Sequence, residues 1–84
     1  MKYYVYILFS KRLDKYYIGS TGNLDVRLKK HNRSRSGFTS MGIPWVLVYQ
    51  EDFESKTQAI RREIQLKAWK NRNRIERLIS SKIS

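Results

Sequence analysis

Tyr3-Tyr4-Val5-Tyr6-Ile7-Leu8-Phe9 and, after a polar interval, Lys15-Tyr16-Tyr17-Ile18-Gly19-Ser20 decide the fold. Both runs are rich in β-branched and aromatic residues and alternate between two faces, the pattern of half-buried strands. The interval Ser10 to Asp14 is a polar turn, so the two runs read as a hairpin. With Ser10 to Leu13 as its loop, Tyr6 stands opposite Tyr17 and Tyr4 opposite Gly19. Residues directly opposite share a face, with Cβ atoms about 5 Å apart. Tyr6 and Tyr17 then form a polar aromatic platform, and Gly19 leaves room for a ligand or another backbone. The other face, Val5, Ile7, Tyr16 and Ile18, is a plain core face.

Downstream, Thr21-Gly22-Asn23 punctuates the chain, and Asn23 or Thr21 caps a helix over about 24–33. Asp25 falls in its first turn, where the helix dipole favours a carboxylate. Residues 34–44 read as a loop on Gly and Ser content, and Trp45 to Glu51 as a third strand. Ser55-Lys56-Thr57-Gln58 fits a capping box and opens the longest helix, which runs to about Lys70. Asn71-Arg72-Asn73 interrupts it, and Ile75, Leu78 and Ile79 mark a short amphipathic last helix. The order β-β-α-β-α-α predicts an α+β domain: a three-stranded, mostly antiparallel sheet flanked by helices.

The 84 residues suffice for a single domain spanning 1–84. Hydrophobic residues make up 40%, which allows a core and excludes disorder by composition. The absence of cysteine rules out disulfides and Cys-based zinc sites and fits the cytoplasm as the expected location. The N-terminal run is rich in tyrosine and lacks a small-residue cleavage site, so it reads as a strand rather than a signal peptide. No stretch is long enough to span a membrane.

Eighteen Lys and Arg against seven Asp and Glu give a net charge of +11. So basic a chain repels itself unless a polyanion neutralises it, and nucleic acid is the expected polyanion. Arg27, Lys29, Lys30, Arg33 and Arg35 form one basic run with no acidic residue between them. A second lies between Arg61 and Arg77, with Lys67, Lys70 and Arg72 in it and only Glu63 and Glu76 opposing. Such cations contact phosphates without reading sequence. Trp45, Phe38 and Trp69 are available to stack on bases, with core packing the favoured use of Trp69.

Two helices break the core pattern. On the first, Leu24 and Leu28 define the buried stripe, while Arg27 and His31 border it one turn apart. Both either snorkel outward or face a site against the sheet. On the long helix, Ala59, Ile60, Ile64 and Leu66 span one broad face, and Glu63 falls within that arc. An uncompensated carboxylate there costs on the order of several kcal/mol. Lys67 one turn on, Arg27, or a metal ion are the available partners.

Taken together, Tyr4-Val5-Tyr6, ten residues, and Tyr17-Ile18-Gly19 resemble the signature of the GIY-YIG nucleases. Arg27 and Glu63 fall where that family has its Arg and its metal-binding Glu, and His31 matches branches with a His one turn after the Arg. The segment Arg61-Arg62-Glu63-Ile64-Gln65-Leu66-Lys67-Ala68-Trp69 is similar to small stand-alone bacterial members. The first Gly of the signature is Tyr4 here, and its Ile is Val5.

The resemblance implies a metal-dependent endonuclease with Tyr6, Tyr17, Arg27, His31 and Glu63 as catalytic residues. Glu63 is the single metal ligand, for one Mg²⁺ or Mn²⁺, in the one-carboxylate style that magnesium prefers. Arg27 stabilises phosphate charge. Tyr6 and His31 are rival general bases, since a phenol needs a neighbouring cation to ionise while an imidazole titrates near neutrality. Gly19, Lys29, Lys30, Arg33, Arg35, Lys67, Lys70 and Arg72 are the expected nucleic-acid contacts. DNA is the expected substrate, the protein is expected to act as a monomer, and no membrane is involved. A catalytically inactive nucleic-acid-binding module and a basic protein-interaction domain of the same fold are the alternatives.

Overall fold

A computed structural model describes residues 2–33 and 40–83. The elements are β1 (Tyr3–Ser10), β2 (Lys15–Thr21), α1 (Leu24–Arg33), β3 (Trp45–Phe53), α2 (Lys56–Trp69) and α3 (Arg72–Ile83). The strands form one antiparallel sheet in the order β2-β1-β3, with β1 in the middle. This is the α+β architecture the sequence predicts, in the predicted element order. Arg35 and Phe38 lie outside the described residues.

The hairpin register differs from the sequence reading by two residues. Tyr6 pairs with Gly19, Tyr4 with Thr21 and Leu8 with Tyr17. The cause is the turn. Ser10 is not a loop residue but pairs with Lys15, and its Oγ accepts the Leu13 N–H at 3.1 Å. Asp14 closes the loop, shifted by one residue to Lys11–Asp14, in the left-handed region at φ 53°, a conformation Asp tolerates better than most residues. An even slip keeps every side chain on its predicted face.

Side chains from both faces of β1 are buried. One face carries Val5 and Ile7, which pack with Tyr49, with Ala59 and Leu66 of α2, and with Ile75 of α3. The other carries Tyr6 and Leu8, which pack with Trp45 and, at the margin, with Leu24 and Leu28 of α1. α1 is capped by Asn23, whose Oδ1 accepts the Val26 N–H. Its C-terminal end is tied to β3 by Asn32, whose side-chain amide exchanges two hydrogen bonds with the Trp45 backbone. α2 is capped by Ser55 as predicted, its Oγ accepting the Gln58 N–H.

The break between α2 and α3 is shorter than expected. Lys70 ends α2 in the left-handed region, and Arg72 already begins α3, whose Arg74 N–H is accepted by Asn71 Oδ1. The broad apolar face read on α2 also needs correction. Ala59, Arg62, Glu63, Leu66 and Trp69 face inward, whereas Ile64 is 61% exposed and Ile60 lies at the margin. The sheet sets the stripe through Ala59 and Leu66, and the isoleucines fall outside it. Arg62 binds Glu51 through two nitrogens, and the guanidinium groups of Arg62 and Arg74 both lie over the Trp69 ring.

Candidate active site

Tyr6 projects from the middle strand across Gly19 of its neighbour. A Cβ on Gly19 would lie 2.5 Å from Tyr6 Oη and 2.7 Å from Cζ. The room left by the glycine is therefore taken by the Tyr6 ring itself. Tyr17 lies diagonally from Tyr6, its ring stacked at 6.5 Å between centroids. His31 completes the group from α1: its ring meets Tyr17 edge-on at 4.6 Å, and its Nε2 lies 3.3 Å from Tyr6 Oη. The sequence placed His31 on the border of the helix stripe. In the structure it is the buried residue of that helix, 7% exposed.

Arg27 and Glu63 complete the arrangement electrostatically. The Arg27 charge acts on Tyr6, on His31 and on Glu63 alike. Among the described residues its guanidinium makes no hydrogen bond, so its donors are available to an anion. Glu63 reaches the sheet from α2, where Oε1 accepts the Ser20 hydroxyl at 2.5 Å and Oε2 accepts Lys67 Nζ at 2.7 Å. The predicted ion pair with Lys67 is thus present. A cavity of about 30 Å³ lies among Tyr6, Arg27, Asp25 and neighbouring leucines, enough for one water.

The protonation states follow from these surroundings. Burial pushes the Tyr6 phenol up to about 12, with Tyr17 and Glu63 adding to the rise and Arg27 opposing it. Tyr6 is therefore held as a hydrogen-bond donor. Burial, with the charges of Arg27 and Lys30, holds His31 below its ordinary value, so it is a neutral acceptor at pH 7. Burial raises the Glu63 carboxyl, but hydrogen bonds from Lys67 and Ser20 and the charges of Lys67 and Arg27 outweigh it. Glu63 stays ionised.

Among the described residues no cluster of three or more His, Cys, Asp or Glu side chains could hold a metal. Glu63 could hold a hard divalent ion as its only protein carboxylate: it is ionised and 19% exposed at its side chain, and one of its two oxygens is bonded only by Lys67. Lys67 is 52% exposed, so its ammonium can leave the carboxylate at little cost.

The expected nucleic-acid contacts are spread more widely. Lys29, Lys30 and Arg33 stand together with Val26 on the outer side of α1. Lys67 and Lys70 flank a groove beside β2. Arg72 is committed to structure, bonding the Asp14 side chain and backbone and Glu76. Trp45 is buried and offers no stacking surface. The sequence reading missed Ser20, which positions Glu63. Its signal was a hydroxyl on the strand face otherwise occupied by Tyr16 and Ile18.

This fold is that of a known class of domain. The GIY-YIG catalytic domain model matches residues 2–76, and the chain belongs to that family of nuclease domains. Within it, the chain is similar to small stand-alone proteins named UPF0213. One from Staphylococcus haemolyticus is 38% identical over 76 residues, covering 89% of this chain and 92% of that protein. One from Staphylococcus aureus strain N315 is 34% identical over 67 residues, covering 79% and 80%. The solution NMR structure of a UPF0213 protein from Bacillus halodurans matches with a TM-score of 0.62 at 35% identity, over 98% of this chain and 86% of that one. No helix among the described residues is long and apolar enough to cross a membrane.

Proposed function

We propose that the protein is a metal-dependent endonuclease that hydrolyses phosphodiester bonds in nucleic acid, DNA being the expected substrate. The observation that carries the proposal is the hydrogen-bonded Tyr6–His31 pair sharing the field of Arg27 with Glu63. The pair divides acid–base work between its members. Tyr6 takes a proton from the attacking water as it passes its own to His31 Nε2, so the phenol never carries a full charge. The hydroxide oxygen bonds to phosphorus, the P–O bond to the sugar breaks, and solvent protonates the leaving oxygen.

Arg27 donates to the phosphoryl oxygens as charge grows on them. Tyr17 fixes the His31 ring by edge contact and orients water or phosphate. Glu63, braced by Ser20, would hold one Mg²⁺ or Mn²⁺, which neutralises phosphate charge when bound. The basic face of α1, with Lys29, Lys30 and Arg33, would grip the backbone without base reading. The presence of Lys67 on Glu63 favours one alternative, a nucleic-acid-binding module without catalysis.

A cleavage panel separates the two. Single-stranded, duplex, branched and RNA substrates are offered to wild type and Glu63→Gln in Mg²⁺, Mn²⁺ or EDTA. The proposal expects cleavage by wild type in the metals alone and none by the variant, with binding retained by both. Binding without cleavage in every lane by a folded wild type would leave the module reading. Affinity should also fall steeply with salt.

A further inference from the structure

The two oxygens of Glu63 are held in different ways. Oε1 accepts the Ser20 hydroxyl at 2.5 Å, from a strand position fixed by its pairing with Val5. Oε2 accepts Lys67 Nζ at 2.7 Å, from one turn along the same helix. The Lys67 side chain is 52% exposed, and its ammonium sits on a flexible four-carbon stem. Among the described residues Glu63 is the only acid it meets. The Ser20 bond is therefore anchored, and the Lys67 bond is free to exchange.

The charge around this carboxylate is unbalanced. Its one negative charge faces both Lys67 and Arg27, in a chain that carries +11. A divalent cation on Oε2 would share that oxygen with the ammonium, and the two would repel. In the free protein the ion must therefore compete with Lys67. A phosphodiester changes the balance. It brings a negative charge and oxygen acceptors that suit an ammonium. The stem lets the ammonium pass from the carboxylate to a phosphate beside it.

We infer that Lys67 occupies the metal-binding oxygen of Glu63 in the free protein and moves to a phosphate of bound nucleic acid, so that the metal ion and the nucleic acid each bind more tightly in the other's presence. The tightening must be equal in both directions, because it is one coupling free energy. Lys67 thus keeps Glu63 from taking up an ion before substrate arrives. This inference rests on the reading of Glu63 as the metal ligand.

The test follows Mn²⁺ rather than cleavage. Mn²⁺ is titrated into ¹⁵N-labelled protein, and paramagnetic broadening of the Ser20 and Glu63 amide signals is recorded. The nucleic-acid probe is a phosphorothioate oligothymidine of about six nucleotides, within the site sizes of single-strand binders, chosen because it resists hydrolysis. Broadening that persists in Glu63→Gln is binding elsewhere and is subtracted. Lys67→Met removes the charge and keeps an unbranched stem. Arg61→Met removes one charge from an exposed position of the same helix and controls for net charge. Without the oligonucleotide, Lys67→Met should need about tenfold less Mn²⁺ than wild type, within the usual range of coupling between sites. For Arg61→Met the change should stay below about twofold. The oligonucleotide should tighten Mn²⁺ binding several-fold in wild type and less in Lys67→Met. Equal changes in Lys67→Met and Arg61→Met, no change in Lys67→Met, equal tightening by the oligonucleotide in wild type and Lys67→Met, or no Glu63-dependent broadening in any protein would each overturn the inference. Cleavage in Mg²⁺ is scored separately. Cleavage that needs Glu63, in a protein whose Mn²⁺ binding ignores Lys67, sinks the exchange and keeps the nuclease. Tighter Mn²⁺ binding in Lys67→Met, with no cleavage by wild type, does the reverse.

Discussion

The two faces of the central strand are built from the same alternating sequence and serve opposite ends. Val5 and Ile7 meet Ala59, Leu66 and Ile75, and that face is held by apolar contact. Tyr6 and Leu8 meet Trp45, Leu24 and Leu28, yet a phenol–imidazole pair is buried among them. Burial on the first face stabilises the fold. On the second it also fixes protonation, since the same desolvation that favours packing holds Tyr6 protonated and His31 neutral. One strand thus separates what keeps the protein folded from what it is proposed to do. Variants on each side should affect different measurements.

The largest effect is expected at Glu63, which is anchored on the structural side through α2 yet acts on the other. Glu63→Gln should lower metal-dependent cleavage by at least about 10³-fold, the scale of several kcal/mol of lost charge stabilisation. Nucleic-acid binding should survive or improve. Were Glu63 only the partner of Lys67, a folded Glu63→Gln protein would cleave at the wild-type rate. Next, Leu66→Ala empties a site on the structural face and should cost about 2–5 kcal/mol, a large share of what so small a domain has. Chemical unfolding reports that loss. Cleavage per folded molecule should not change, and a fall in it would mean that the two faces are coupled.

Most of this division could be read in the sequence, and the parts that could not share one cause. Alternation and capping residues specify elements locally, so β1, β2, α1 and α2 were predicted to within a residue or two. Register is non-local. The choice between a loop at Ser10–Leu13 and one at Lys11–Asp14 depends on the Ser10–Leu13 hydrogen bond and the φ of Asp14, which no periodicity reports. The helix stripes failed for a similar reason. Apolar type placed Ile64 inside and His31 at the border, while packing against the sheet reversed both. The family signature marked Tyr6, Tyr17, Arg27 and Glu63 without regard to packing. It carried nothing about Ser20, whose role depends on its distance from Glu63.

Two smaller effects sharpen the comparison on the Tyr6 side. Tyr6→Phe keeps the ring and removes the hydroxyl that faces His31. Cleavage should fall about 10²-fold, the lower end of what a lost acid–base group costs, while stability changes by about 1 kcal/mol, the worth of one hydrogen bond. Cleavage at the wild-type rate would make Tyr6 structural. Gly19→Ala tests placement rather than chemistry. The new methyl would meet Tyr6 Oη and Cζ at 2.5 and 2.7 Å, so the ring must swing away. A displacement of this size should lower cleavage about tenfold with the hydroxyl still present. Recovery in a Gly19→Ala, Tyr6→Phe double variant is not expected, and the two losses should not add, because both act through one hydroxyl.

The smallest effect is a pH dependence of stability that only the Tyr6 face should show. His31 is held below its ordinary value of 6.5 by burial and by Arg27 and Lys30. The unfolded chain therefore takes up a proton near pH 6.5 that the folded protein resists. Stability is highest above that pH and falls as the pH drops through it, until the folded imidazole also protonates. Glu63 works in the same direction but lower. Its folded value lies below its ordinary 4.5, so its contribution is intact at pH 5 and is lost only beneath that. Denaturant unfolding between pH 7.5 and 5 thus isolates His31. Wild type should lose stability across that window, and His31→Gln, which keeps a polar neighbour for Tyr6 but cannot titrate, should lose less. Parallel curves for the two proteins would mean that His31 is not held neutral. The proton acceptor assigned to Tyr6 would then have to be sought elsewhere.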